Sequence, residues 1–204
     1  MSLYDNLPKR NIIVIDMKSF FATVECVERE LDPFTTPLVV AEPGRNGAIT
    51  LAVTPYMKSL GVGSRTRIYE IPTHIKYVTV PPRMNTYVQY SQKVISIYKE
   101  FVSPEDLHIY SIDECFLDVT DYLKMYNVDD YTLARRIMDT IKKKTGLIST
   151  AGIGPNMLIA KIAMDTEAKH TKDNIAKWTY EDIPTKFWPI TPLSEFWGIG
   201  HRME

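Results

Sequence analysis

The chain has 204 residues, 45% hydrophobic and 11% aromatic, which is enough for a packed core and excludes a disordered or low-complexity chain. The formal net charge of −1 argues against a stand-alone DNA binder that relies on its own positive surface, although carboxylates can recruit cations that then recruit phosphate. No apolar run reaches membrane-spanning length, and the opening residues carry no secretory-signal pattern. The two distant cysteines, Cys26 and Cys115, suit free thiols in a reducing cytoplasm.

Asn11 to Ile15 is an apolar, β-branched run ending on Asp16, the pattern of a buried strand. Ser19 is placed to cap a helix whose apolar side is Phe20, Val24, Val27 and Leu31 and whose end is Pro33. Strands are predicted over residues 38–41 and 48–53, with a turn at 43–47 between them. Pro55 begins a short helix that Gly61 stops. A strand follows at 77–80, and Met84, Tyr87, Ser91, Val94, Ile95 and Tyr98 mark a longer helix that ends before Pro104. The tyrosines of that helix read as one helix face. Residues 107–112 and 115–119 are β-rich runs separated by Asp113-Glu114, which predicts a tight antiparallel hairpin with both acids at its tip.

Leu133, Ile137, Met138 and Ile141 mark the next helix, with Asp129 and Asp130 at its start and Lys142, Lys143 and Lys144 at its end, matching the helix dipole. A last strand is predicted over 147–153, and Gly154-Pro155-Asn156 leads into a helix containing Ile159, Ile162 and Ala163. From about Lys169 the pattern turns irregular, with Pro184, Pro189 and Pro192, and a boundary is predicted there. The element order gives an α+β fold: an antiparallel sheet with helices on one face, and a small lobe inserted over 19–81.

In such a sheet the hairpin can lie beside the first strand, bringing Asp16, Asp113 and Glu114 to one edge. Singly, each acid could be a helix cap or a turn residue. Together, three carboxylates repel one another unless a cation is present, and hard divalent ions with oxygen ligands, Mg²⁺ above all for phosphate chemistry, relieve that. Two ions about 3.5–4 Å apart can activate a hydroxyl and neutralise a leaving pyrophosphate.

Three segments carry a resemblance. Ile15-Asp-Met-Lys-Ser-Phe-Phe-Ala-Thr-Val-Glu25, Tyr110-Ser-Ile-Asp-Glu-Cys-Phe-Leu-Asp118 and Ala151-Gly-Ile-Gly-Pro-Asn-Met-Leu-Ile-Ala-Lys-Ile-Ala163 resemble, in order and spacing, the motifs of the Y-family translesion DNA polymerases, closest to the bacterial UmuC-like branch. Lys58, just before Gly61, stands where other branches carry arginine.

The resemblance implies a ferredoxin-like palm at 1–18 and 82–168, fingers at 19–81 and the incomplete start of a helical thumb at 169–204. It implies low-fidelity, template-directed DNA synthesis past damaged bases, in DNA repair and the SOS response. Asp16, Asp113 and Glu114 would be catalytic and would hold two Mg²⁺ ions with the main-chain carbonyl of Met17. Ser19, Phe20, Phe21, Lys58 and Lys161 would contact the nucleotide. Phe20 reads as a core ring and Phe21 as the ring that rejects a 2′-hydroxyl, with Glu25 and Asp118 supporting. Cys115 reads as a packed hairpin residue. The partners implied are primer-template DNA and dNTP, with a sliding clamp and accessory subunits reached through a C-terminal part not in this sequence, and no membrane. Phe196-Trp-Gly-Ile-Gly-His-Arg-Met-Glu204 resembles the opening of a thumb helix-hairpin-helix, so the expectation is an N-terminal fragment with little activity alone. The alternative is a truncated, non-catalytic module that binds nucleotide or a partner; a nucleotide cyclase on a similar palm fits Phe21, Lys58 and Lys161 less well.

Overall fold

The structure, a computed structural model, describes residues 4, 6–45 and 47–203. The first three residues, Asp5, Asn46 and Glu204, on which parts of the N-terminal, turn and C-terminal readings fall, lie outside it. In chain order the elements are β1 (Ile12–Met17), α1 (Phe20–Val27), β2 (Leu38–Val40), β3 (Ala52–Val53), α2 (Pro55–Ser59), β4 (Val78–Val80), α3 (Met84–Tyr98), β5 (Leu107–Ile109), β6 (Glu114–Asp118), α4 (Tyr122–Tyr126), α5 (Asp130–Thr145), β7 (Ser149–Gly154), α6 (Met157–Thr166) and β8 (Ile175–Lys177). The chain divides into two units, one built from residues 1–16, 96–140 and 149–204, the other from 17–95 and 141–148.

The first unit is a five-stranded sheet in the order β5-β6-β1-β7-β8. β6 pairs antiparallel with both β1 and β5, as a ferredoxin-like sheet requires. The sheet is not wholly antiparallel, because β8 adds in parallel to β7. This strand lies in the stretch that reads as irregular after Lys169; three residues are too short to show a periodicity. Ile12 and Val14 of β1 and Phe116 of β6 form a core with Ile159, Ala160, Ile162, Ala163 and Met164 of α6. α6 begins at Asn156, whose side chain accepts from the Ile159 N–H at 2.9 Å.

Two glycines let α6 lie this close to β7. A Cβ on Gly152 would collide with the Ala160 carbonyl oxygen and come within 2.7 Å of Met164 Cβ, and one on Gly154 would lie 2.6 Å from the Ala160 nitrogen. The Gly-Ile-Gly run is therefore a packing requirement of the strand-helix pair as well as a motif.

The second unit carries a three-stranded sheet in the order β3-β2-β4, with β2 antiparallel to β3 and parallel to β4. Its core is Val39, Val53, Met57, Val62 and Ile71. Thr54 caps α2, its hydroxyl oxygen accepting from the Met57 N–H, with Pro55 at the first helical position. α1 is shorter than the apolar spacing predicts. Glu30 adopts φ 55°, and the N–H groups of Glu30 and Leu31 donate to the carbonyls of Val27 (3.1 Å) and Cys26 (2.9 Å), a Schellman stop that leaves Leu31 39% exposed. The strand predicted over 48–53 shrinks to Ala52–Val53 because its backbone changes partner: the Thr50 N–H donates to Thr66 and the Leu51 N–H to Val40.

Candidate active site

β1 and β6 run antiparallel with Asp16 directly opposite Glu114. The strand pairing alone thus brings the end of one apolar run against the start of another. The hairpin is wider than predicted. Its turn spans residues 110–113, with the Tyr110 and Ser111 N–H groups both donating to the Glu114 carbonyl at 3.1 Å, so Glu114 is the first strand residue and not the tip. Asp113 is held in the turn by the Ser111 hydroxyl, which donates to its carboxylate at 2.7 Å.

The electrostatics of this edge are those of excess negative charge. Burial, then the charge of Asp113, push the Asp16 carboxyl up to about 7, with Lys169 and Lys161 pulling the other way. Burial also raises Glu114 above the usual carboxylate range, against the pull of Lys161. Burial alone would lower Lys161, but its hydrogen bond to Glu114 and the charge of Asp165 raise it, so it stays protonated. The two members of the Lys161–Glu114 pair shift upward for different reasons: burial, helped by the charge of Asp165, raises Glu114, whereas the carboxylates of Glu114 and Asp165 raise Lys161 against its burial.

Lys161 is buried on α6, with Nζ 2.9 Å from both Glu114 carboxylate oxygens and 3.1 Å from Asp165 Oδ2; Lys169 reaches Asp165 Oδ1 at 2.7 Å. Nζ hydrogen bonds to Oε2, while the buried Oε1 accepts no hydrogen bond among the described residues. Asp165 and Lys169 stand in this charge cluster and were missed in the sequence; their signal was the four-residue spacing from Lys161 to Asp165 to Lys169, the first two on α6 and the third in the turn just after it. Tyr98 was read only as part of a helix face. Its hydroxyl is buried without a hydrogen-bond partner among the described residues, and burial, followed by Cys115 and the three acids, raises it well above the ordinary tyrosine value.

Among the described residues no group of three or more His, Cys, Asp or Glu is gathered as a ready metal cage. The donor chemistry nevertheless fits a hard divalent cation: oxygen ligands only, one buried carboxylate oxygen without a hydrogen bond, and protons pushed onto acids that a cation would strip.

The remaining predicted site residues belong to the second unit. Met17 ends β1 with a buried side chain, and Ser19 stands before α1 in the left-handed region (φ 48°) with no side-chain cap bond, unlike the capping role predicted for it. Phe20 is buried, while Phe21 is half-buried, its ring 4.6 Å from that of Tyr87. Lys58 is exposed on α2.

Beneath α1 lies a network that the sequence does not announce. The fully buried Glu25 accepts from Arg83 (Nε to Oε1 3.0 Å, Nη2 to Oε2 2.8 Å), from the Tyr87 hydroxyl at 2.7 Å and from Arg29. Burial pushes the Glu25 carboxyl up, but these donors bring it below the usual range. In the other unit Asp118 accepts from Arg10 at 2.7 Å and from the Thr120 hydroxyl at 2.6 Å, and Cys115 is buried with its thiol pushed up to about 12. No helix among the described residues is long and apolar enough to cross a membrane.

The family described as impB/mucB/samB matches residues 15–165. The chain is 40% identical over 203 residues to the putative UV-damage repair protein UvrX of Bacillus subtilis (strain 168), covering 98% of this chain and 47% of that one. It is 33% identical over 199 residues to DNA polymerase IV 2 of the same organism, covering 97% and 47% respectively. It therefore spans about half the length of the curated relatives it matches. Among solved structures, the insertion ternary complex of Dbh DNA polymerase superposes with a TM-score of 0.79 at 26% identity, covering 94% of this chain and 55% of that one. DinB from Sulfolobus solfataricus gives 0.77 at 26% identity, covering 94% and 55%. On the family match over residues 15–165 and the relatives of 33–40% identity, the chain belongs to the impB/mucB/samB family, the Y-family translesion DNA polymerases.

Proposed function

We propose that this chain carries the catalytic acids and nucleotide contacts for template-directed DNA synthesis past damaged bases, transferring a deoxynucleotide from dNTP to a primer 3′-hydroxyl. The observation that carries this reading is Asp16 standing opposite Glu114 with its carboxyl pushed up to about 7. Asp16, Asp113 and Glu114, with the main-chain carbonyl of Met17, would hold two Mg²⁺ ions. When bound, such ions activate the hydroxyl and neutralise the leaving pyrophosphate, which leaves the protein mainly to position and to balance charge.

In this reading the N–H groups of Ser19 and Phe20, at the start of α1, face the triphosphate, where a helix N-terminus favours anions. Lys58 and Lys161 neutralise its oxygens, and Phe21 excludes a 2′-hydroxyl. Residues 1–18 and 82–168 act as palm, 19–81 as fingers and 169–204 as the start of a thumb. The whole protein would engage primer-template DNA in the cytoplasm, together with a clamp and accessory subunits. The test is calorimetric titration of dATP with Mg²⁺ into this chain and into Asp16→Ala. Magnesium-dependent binding that disappears in the variant is expected; binding that persists undiminished would overturn the assignment.

A further inference from the structure

Glu114 and Asp165 differ in one respect that matters for the site. Asp165 has two cations, Lys161 at 3.1 Å and Lys169 at 2.7 Å, whereas Glu114 has Lys161 alone among the described residues. If the Lys161 ammonium moves, Asp165 keeps a partner and Glu114 keeps none. Lys161 is 7% exposed, on a helix whose other buried positions are apolar core, so the contact is held by packing and is not a passing surface pair. Its ammonium already occupies the position from which a cation would balance Glu114.

We propose that Lys161 holds Glu114 closed to metal until nucleotide arrives. A triphosphate draws the ammonium onto its own oxygens and thereby releases Glu114 as a metal ligand. This rests on the reading of Asp16, Asp113 and Glu114 as metal acids and of Lys161 as a phosphate contact. It adds an order to them: metal alone binds weakly, and metal and triphosphate strengthen each other reciprocally, because each removes the competitor of the other. A cation kept off the acids in the absence of substrate also limits occupancy of the site by metal that has no phosphate to act on.

The experiment is titration of the chain with Mn²⁺ in the absence of nucleotide, following free Mn²⁺ by electron paramagnetic resonance. Lys161→Met is expected to bind Mn²⁺ on the order of tenfold more tightly than the unaltered chain, within the usual range of site-to-site coupling. That gain should vanish in Lys161→Met/Glu114→Gln. Equal affinity in Lys161→Met and the unaltered chain, with Mn²⁺ binding lost in Asp16→Asn, would overturn the role of Lys161 while leaving the metal acids in place. No Mn²⁺ binding to any form would overturn both.

Should Lys161→Met fail to fold, amine labelling of the unaltered chain decides the matter. Saturating Mn²⁺ alone should raise acetylation of Lys161 several-fold as the metal displaces it from Glu114. Labelling that stays constant while the paramagnetic signal shows the site filled would sink the proposal.

Discussion

Asp16 and Glu114 face each other across the β1–β6 pair, yet among the described residues only Glu114 has a cation within ion-pair distance. Asp16 is therefore the strained member of the facing pair. Its carboxyl holds a proton up to about 7, against an ordinary value of 3.8. Between those two pH values the native chain binds more protons than the unfolded one, so stability falls as pH rises from about 4 to about 7 and stays low above. Asp16→Asn should remove that slope. By urea denaturation in EDTA it should be more stable than the unaltered chain by about 1–2 kcal/mol at pH 8, after allowing for solvent screening, and no more stable at pH 4.

The Lys161–Glu114 contact should be costly to break from one side and cheap to remove whole. Lys161→Met leaves Glu114 buried beside like charges and should lose about 3–5 kcal/mol of stability at pH 7.5, the usual cost of orphaning one member of a buried pair. Adding Glu114→Gln should recover most of it. A double variant as unstable as Lys161→Met would show that the lysine stem, and not the charge pair, is what α6 needs.

Glu25 is the corresponding test in the other unit. Glu25→Gln removes the charge that Arg83, Arg29 and Tyr87 share and should cost about 2–4 kcal/mol by chemical denaturation. Because the native carboxyl lies below its ordinary range, this contribution is present at neutral pH and is lost as pH falls through the native value. The gap between the unaltered chain and Glu25→Gln should therefore close in acid.

Gly152→Ala should destabilise by about 1–3 kcal/mol or more, since the added methyl meets the Ala160 carbonyl oxygen, which is backbone and cannot rotate away. Gly44→Ala makes a useful contrast. Nothing lies within 4 Å of the added carbon there, but the φ of 75° carries its own smaller strain. Thermal unfolding of both should rank Gly152→Ala lower.

Phe21→Ala tests the nucleotide reading. Its ring is half-buried and 4.6 Å from that of Tyr87. Binding of ATP relative to dATP, with Mg²⁺ present, should rise on the order of tenfold or more in the variant, because steric exclusion by a packed ring is worth at least about 1.4 kcal/mol. An unchanged ratio would remove Phe21 from sugar selection.

What could be read in the sequence were features set by local pattern. The run from Asn11 to Ile15, the start of α2 at Pro55, and α5 with acids first and lysines last each follow from side-chain chemistry within one turn or strand. What escaped depended on partners far along the chain. Glu25 looks like any helix glutamate until Arg83, 58 residues on, closes over it. The α1 stop at Glu30 is set by a backbone angle that glutamate rarely adopts, and β8 is only three residues long. Glu114 moved from hairpin tip to strand because two N–H groups converge on its carbonyl, a detail with no sequence signature.

The parallel addition of β8 has a practical consequence for anyone trimming this chain. The family match ends at residue 165, but β7 is covered on its outer side by residues 175–177, with the Ala151 N–H donating to Asn174 and the Trp178 N–H to Ile153. A protein cut after residue 165 would expose that row of backbone donors and acceptors as a raw sheet edge, flanked by apolar side chains. Such a piece would tend to stack edge to edge with its copies and come out of solution, whereas one carried through Tyr180 would keep β7 covered and present only the three-residue β8 as its edge.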